Sequence, residues 1–392
     1  MLNQAKELQD KLSGYRHDFH KFPELGFQEF RTSTKVAEIM SALGCRVRQN
    51  VGKTGVVGEL GQGLPIVAIR ADMDALPLQE DNQTTYTSQN PGVMHACGHD
   101  AHTAILLGVA ELLSKEENLP GTVRFLFQPA EEVADDEGIS GAPRMIQDGA
   151  MEGGVGMVIA LHVSAHVPVG QIHIGAGPSS GGVDTFRASI IGKGGHGARP
   201  HETVDPIYLS AHVILALHGI VSRRLNPYDP AVVSIGSIHA GNAENVIPNQ
   251  VDILGTLRYT QHKVQEQIHA EIKKVFEVAK SLGGDYTLKF EIGTPPMIND
   301  QKVVNLIKQT AIDLIGSENV LPPQDGLGAE DFGCFSEMAP GAMFYLGSKV
   351  EGDEREHHNS RFDVNDQSLP FGTAILAETA LRFLRNGGLS SN

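Results

Sequence analysis

Four short apolar runs rich in β-branched residues, PIVAIR (65–70), TVRFLF (122–127), GMVIAL (156–161) and AMFYLG (342–347), are bounded by Gly or Pro. Runs of that length and composition are what strands buried on both faces look like. Helix-length segments lie between them, such as AHTAILLGVAELLSKE and, toward the end of the chain, GTAILAETALRFLRN. Strands alternating with helices imply an α/β fold, a mostly parallel sheet with helices on both faces.

The chain has 392 residues, more than the roughly 100 to 200 of one domain. From about 184 to 293 the pattern changes to strand TFRASIIG, helix VDPIYLSAHVILALHGIVSR, strands VVSIGSI and VDILGTLRYT, helix KVQEQIHAEIKKVFEVAKSL and strand YTLKFEIG. This is the βαββαβ order of ferredoxin-like domains. The Gly-rich GAGPSSGG before it and GTPPMIND (293–300) after it read as linkers. The expectation is one domain formed by residues 1–183 and 294–392, with a second, 184–293, inserted into it.

Charge and cysteine usage narrow the functional classes. Lys plus Arg number 31 against 47 Asp plus Glu, a formal charge of −16, which argues against nucleic acid or an anionic membrane as partner. Cys45, Cys97 and Cys334 are too few, too scattered and odd in number for a disulfide framework, which fits a reducing, cytoplasmic compartment. No apolar run approaches the roughly 20 residues that span a bilayer, and the first segment reads as an amphipathic charged helix without a signal-peptide core.

In open α/β sheets ligands collect at the carboxyl ends of the strands, and there this chain is strongly polar. PIVAIR leads into Asp72 and Asp74, TVRFLFQPA into Glu131 and Glu132, and GMVIAL into His162, while GVMHACGHDAHTAILLGVAELL (92–113) brings Cys97, His99 and Asp100 to a helix start. An Asp commonly caps a helix and a lone His is usually a satisfied structural residue. Four such segments at one rim outweigh that reading. Thiolate, imidazole and carboxylate together suit zinc, manganese, cobalt or nickel, whereas magnesium or calcium asks for oxygen alone. Adjacent residues of an extended segment point in different directions, so one carboxylate of Glu131-Glu132 can bind metal while its neighbour faces substrate. A carboxylate that holds a water near a metal can take its proton and return it to a leaving amine.

MHACGHDAH, FQPAEE, IALHV, GKGGHGARPH and AEDF, with an opening RHDFHKFPELGFQE and a closing HHNSRFDV, run from residue 16 to residue 364. In that order they resemble the aminoacylase/carboxypeptidase family of two-metal amidohydrolases, and within it the branch of hippurate hydrolases and auxin-conjugate (IAA-amino acid) hydrolases. The resemblance implies a catalytic domain interrupted by a lid that dimerises, hence a homodimer or higher homo-oligomer, and two divalent metal ions per subunit. It implies that Cys97 bridges the ions, that His99, Glu132, His162 and His358 are the other ligands, and that Glu131 is the general base. Other branches have aspartate at the place of Cys97. Relatives also carry a ligand histidine where this chain has Arg70, which leaves Asp72 to orient the site from behind. His196 of GGHGARP would come over the active site, often that of the other subunit, and stabilise an oxyanion. Asn245 of ENVIPN and Arg258 of GTLR would hold the substrate carboxylate, a task that suits an arginine fork.

Some residues depart from the pattern. The loop after Glu132 is longer and more acidic than the branch's usual turn, and Asp135, Asp136 and Glu137 read as solvated. Ser360 stands where proline is frequent. His358 keeps the spacing to Phe362, which makes His357 solvated or one step behind the site, while His102, one helical turn after His99, stays geometrically open as a ligand. His17 and His20 read as capping or packing against FPELGF, and Cys45 and Cys334 as packed thiols.

The expected activity is hydrolysis of an N-acyl amino acid, or of a short peptide, to a carboxylic acid and an amino acid. A carboxypeptidase or dipeptidase would need the same chemistry with a peptide or free amine on the acyl side. A silent metal or carboxylate binder would have lost Glu131 or a ligand. GKGGHG (192–197) matches a dinucleotide fingerprint, yet no helix start or acidic residue follows where one is required.

Overall fold

The four apolar runs are strands, and they lie side by side. The structure, a computed structural model, describes residues 1–323, 326–352 and 355–389. The chain divides into two compact units, one of Met1–Ser179, Ile298–Asp325 and Asp331–Asn392, the other of Ser180–Met297 and Gly326–Glu330.

The first unit is built on a sheet of β1 (Arg46–Val51), β2 (Gly55–Gly61), β3 (Ile66–Asp72), β4 (Thr122–Gln128), β5 (Val155–Ser164), β6 (Ile172–His173), β7 (Val320–Leu321) and β8 (Gly341–Gly347), in the order β1-β2-β4-β3-β5-β8-β6-β7. The central four, β4-β3-β5-β8, are parallel, so the unit is α/β with a mostly parallel centre. Every residue of β3 and β4 is buried, the environment for which the continuous apolar runs are suited. β1 and β2 form an antiparallel hairpin at one side. β1 is largely exposed and reads RVRQNV, so it carries no apolar run that would betray it.

The helix His99–Leu113 is buried along all of its length and packs against Gln9–Lys21 and Leu369–Arg385. Apolar residues all round a helix are the mark of such a sandwiched position. Burial of each Ile or Leu there stabilises by roughly 1.5–3 kcal/mol. The helix Gln301–Ile315 is started by Asp300, whose carboxylate accepts the N–H groups of Lys302 and Val303.

The second unit contains the antiparallel strands Ala231–His239, Gln250–Tyr259, Gly182–Ile191 and Asp285–Ile292, adjacent in that order. Along the chain, strand, helix, strand, strand, helix and strand follow one another. Buried residues alternate on Gly182–Ile191 and Gln250–Tyr259, and Phe186, Ile253 and Leu257 meet Leu209, Val213 and Leu217 of helix Pro206–Arg224 and Ile268, Ile272 and Phe276 of helix His262–Ser281. Asp205 caps the first of these helices and Pro206 opens it. Among the described residues no helix is long and apolar enough to cross a membrane.

Candidate metal and catalytic site

Three parallel strands and one helix start deliver the polar residues of the first unit to one place. β3 ends on Asp72 and is followed by Met73 and Asp74, and β4 ends on Gln128 and is followed by Pro129, Ala130, Glu131 and Glu132. β5 runs to Ser164, beyond the apolar stretch 156–161, so His162 sits inside a strand rather than after one. Between Cys97 and His99 the chain turns at Gly98, which has φ +95° and caps the helix. A Cβ on Gly98 would stand 2.3 Å from Val163 Cγ2, so only glycine lets the thiol and the imidazole on either side face the same point.

The ligand-type atoms of Cys97, His99 and His162 lie within 4.8 Å of one another, as do those of Cys97, Glu132 and His358 and those of His99, Glu131 and Glu132. Cys97 therefore belongs to two groups at once. Its Sγ is 3.4 Å from His162 Nε2 and 4.0 Å from His357 Nδ1, and His358 Nε2 is 3.0 Å from Glu132 Oε1.

The histidine tautomers are set by what lies behind the cluster. His162 Nδ1 donates to the Val163 carbonyl at 2.8 Å, and His99 Nδ1 donates to the Asp74 carbonyl at 3.0 Å. That leaves each Nε2 with its lone pair exposed to the cluster, and His99 Nε2 is buried with no hydrogen-bond partner. An imidazole held at one nitrogen with its other lone pair bare is the arrangement of a metal ligand. Burial pushes the Cys97 thiol well above its ordinary range, with Glu132 and Glu131 adding to the push. Burial lowers His162. His99 goes the other way: burial opposes protonation, but Asp72 and Cys97 raise it. A divalent cation resolves all three conflicts together, so the residues present fit one.

Around this cluster the remaining groups are locked. Asp72 is fully buried between Arg70, whose Nη1 is 2.6 Å from Oδ2, and His102, whose Nδ1 donates to Oδ1 at 2.6 Å. Arg70 also donates to Gln128 at 2.7 Å and to Asp331 at 3.1 Å. His102 accepts the Val163 N–H on Nε2 at 2.9 Å. Both of its nitrogens are thus engaged, which removes it as a ligand although its spacing allowed it. His357 is not solvated: it packs against Phe362 and accepts the Ala165 N–H at 3.4 Å. Glu131 receives the Asp331 N–H at 3.5 Å, while the Glu132 N–H donates to Asp74 Oδ2 at 3.0 Å.

Two further sequence expectations are corrected. Asp135 is not a solvated member of an acidic run, because it pairs with Lys53 and Arg144 and accepts the N–H groups of Glu137 and Ile139. His20 is more than a capping or packing residue: it is fully buried and bridges Glu80 and Asp100 at 3.1 and 2.8 Å. Beside it Arg16 donates to Asp100, Asp363, Asp366 and the Val364 carbonyl. This network ties the segment that carries Cys97 and His99 to the segment that carries His358. Its signal in the sequence is the i, i+4 spacing of Arg16 and His20, which puts both on one helix face. Cys45 is half-buried against the core, and Cys45, Cys97 and Cys334 form no disulfide.

His196, Asn245 and Arg258 belong to the second unit. The short strand Gly195–His196 pairs with Val246–Ile247, and Asn245 accepts the Gly197 N–H at 2.8 Å, so His196 and Asn245 share one exposed ribbon. His196 Nδ1 accepts the Ala198 N–H at 3.0 Å, which assigns the proton to Nε2. Arg258 is half-buried near the end of its strand, with Nη1 donating to Thr256 Oγ1 and the Leu257 carbonyl at 2.6 and 2.9 Å.

The chain is similar to known proteins in sequence and in fold. The family described as Peptidase family M20/M25/M40 matches residues 68–382. Thermostable carboxypeptidase 1 of Saccharolobus solfataricus is 38% identical over 97% of this chain and 97% of its own. IAA-amino acid hydrolase ILR1-like 4 of Arabidopsis thaliana is 38% identical over 96% of this chain and 86% of its own, and N-acetyl-L-cysteine deacetylase of Bacillus subtilis is 36% identical over 96% and 89%. Among solved structures, a provisionally assigned aminohydrolase from methicillin-resistant Staphylococcus aureus superposes with a TM-score of 0.93 at 33% identity over 98% of this chain and 99% of that one. A Bacillus subtilis protein described as a dinuclear metal binding peptidase from the M20 family gives 0.84 at 32% over 97% and 99%.

Proposed function

The chain belongs to peptidase family M20/M25/M40 and is a hydrolase, and from that premise we propose that it cleaves the amide of N-acyl amino acids at a pair of divalent metal ions, releasing a carboxylic acid and an amino acid. The observation that carries this reading is the place of Cys97 in two ligand groups at once, with His99 and His162 in one and Glu132 and His358 in the other. In this assignment Cys97 would be shared between the ions and those four residues would complete the set, in a donor chemistry that suits zinc, manganese, cobalt or nickel. When bound, the ions would acidify a water and polarise the scissile carbonyl.

The chain's own groups do the rest. Glu131, whose carboxylate lies within 4.8 Å of the ligand-type atoms of His99 and Glu132, is the general base that takes a proton from the attacking water and then passes it to the departing amine. Asp72, held between Arg70 and His102, orients the site from behind, while the Asp74 carbonyl holds the His99 ring. The second unit acts as a lid: His196 offers its Nε2–H to the oxyanion of the tetrahedral intermediate, and Arg258 with Asn245 holds the substrate carboxylate. The same unit is the proposed contact for a homodimer or larger homo-oligomer, and three cysteines without a disulfide suit a cytoplasmic enzyme.

A carboxypeptidase reading is favoured by the relative in Saccharolobus solfataricus. Amino-acid release from acetylated, benzoylated and free-amine substrates separates the two. Turnover of the acylated substrates alone supports the N-acyl reading, and turnover confined to the free-amine peptides overturns it.

A further inference from the structure

Ala130, immediately before the proposed general base, has φ +45°, in the left-handed region that residues with a Cβ occupy sparingly. Such a conformation persists only where its surroundings over-determine it. Three contacts do so here. The Ala130 N–H donates to Glu29 Oε1 at 2.8 Å, and the Ala130 carbonyl accepts the Gly141 N–H at 2.8 Å. Gly26 approaches so closely that a Cβ on it would meet Ala130 Cα at 3.0 Å and Val133 Cγ2 at 2.4 Å.

Glu29 is the unusual member. It is 0% exposed and precedes helix Phe30–Ala42, yet its side chain makes no cap to that helix. One oxygen reaches Ala130 instead, and the other accepts the Thr54 hydroxyl. On the far side of Glu131 the Glu132 N–H is held by Asp74 Oδ2. The amides before and after Glu131 are therefore each hung from a buried carboxylate.

We propose that Glu29 is a positioning residue of the reaction: by holding the Ala130 amide it fixes the turn 129–132 so that Glu131 faces the substrate while Glu132 faces the cluster. The inference rests on Glu131 being the general base. Burying a carboxylate without gain elsewhere is costly, and the fixed geometry of a proton-transfer group is where such a cost is recovered, since a displacement of about 1 Å can lower turnover by about 100-fold. Burial, with Asp74 adding to it, pushes the Glu29 carboxyl up to about 7. Near neutral pH the turn thus depends on the acceptor's shape more than on its charge, and a glutamine reproduces that shape.

The test compares Glu29→Leu, Glu29→Gln and Glu131→Gln for kcat, KM, metal content per chain and thermal unfolding, with each protein loaded with metal. Glu29→Leu is expected to lower kcat by about 10- to 100-fold with KM and metal content near native, and Glu29→Gln to recover kcat to within a few-fold. A folded, metal-replete Glu29→Leu enzyme with native kcat overturns the proposal, and so does an equal loss in both Glu29 variants. Should Glu29→Leu not fold, Thr54→Val decides: it loosens Glu29 without emptying the site, so kcat falls several-fold at unchanged metal content, and an unchanged kcat overturns the proposal. Full turnover by Glu131→Gln would instead remove the base assignment, whatever the Glu29 variants do.

Discussion

Cys97 Sγ lies 3.4 Å from Nε2 of His162, a histidine whose other nitrogen is already committed to the Val163 carbonyl. The protonated thiol therefore has that bare imidazole lone pair as its acceptor, and a cation held by both groups takes the place of the thiol proton. Loss of a group that merely supports a ligand weakens metal binding by about 10- to 100-fold. Removal of a shared ligand should do more: Cys97→Ala is expected to fall below two metals per chain and to lose at least about 100-fold in activity. Metal analysis of the purified variant checks it, and a native metal content would remove Cys97 from the bridging position.

Glu131→Gln keeps the size of the side chain but cannot take a proton. Its kcat should fall by about 100- to 10,000-fold, the usual worth of a positioned base, while metal content stays at the native value. Retained turnover would assign the proton transfer to another group.

Glu131 and Glu132 were legible in the sequence, and Glu29 was not. The central strands were legible because residues buried on both faces leave continuous apolar runs, and Asp72, Glu131, Glu132 and His162 were legible because they follow such runs. The hairpin of β1 and β2 left no trace, since RVRQNV sits on an exposed edge. Spacing to Phe362 favoured His358 over His357, but spacing alone left His102 open beside His99. What separates them is which nitrogen is already bonded, to Asp72 and Val163 for His102, and that depends on residues far away in the chain. Glu29 was hidden for the same reason, a charged residue just ahead of a helix until the fold buries it against Ala130, and Arg16 showed only as the helix-face neighbour of His20 until the fold buries it against Asp100.

His20 makes stability depend on pH in a stated direction. Burial alone would lower its pKa, but Asp100 and Glu80 raise it from 6.5 to about 9. The folded protein then holds more protons than the unfolded one between those values, so the contribution is complete below about pH 6.5 and disappears as pH rises through about 9. It amounts to about 3 kcal/mol. Urea unfolding at pH 6 and pH 9.5 should show a smaller fall in stability for His20→Asn than for the native protein, and identical falls would contradict the assignment.

Arg16 joins Asp100 to Asp363 and Asp366 inside the protein. Arg16→Met leaves buried carboxylates without their cation, which costs about 3–5 kcal/mol. Denaturant midpoints on metal-free protein measure this directly, and a loss below about 1 kcal/mol would mean that the network is solvated.

Arg258 should act on substrate affinity rather than on turnover. A hydrogen bond to a charged group contributes about 1.5–3 kcal/mol, so Arg258→Ala is expected to raise KM by about 10- to 100-fold for N-acyl amino acids. The corresponding amino-acid amides, which lack the carboxylate, should show little further change in KM. Equal effects on both substrates would remove the carboxylate contact.

The central claim is that two metal ions at the Cys97 cluster drive amide hydrolysis. The most direct measurement strips the protein with chelator and follows amino-acid release from acetylated and benzoylated amino acids while zinc, manganese, cobalt or nickel is titrated back. The account predicts that release vanishes on stripping and returns with a break at two equivalents per chain for at least one metal. Undiminished release by the metal-free protein would contradict it.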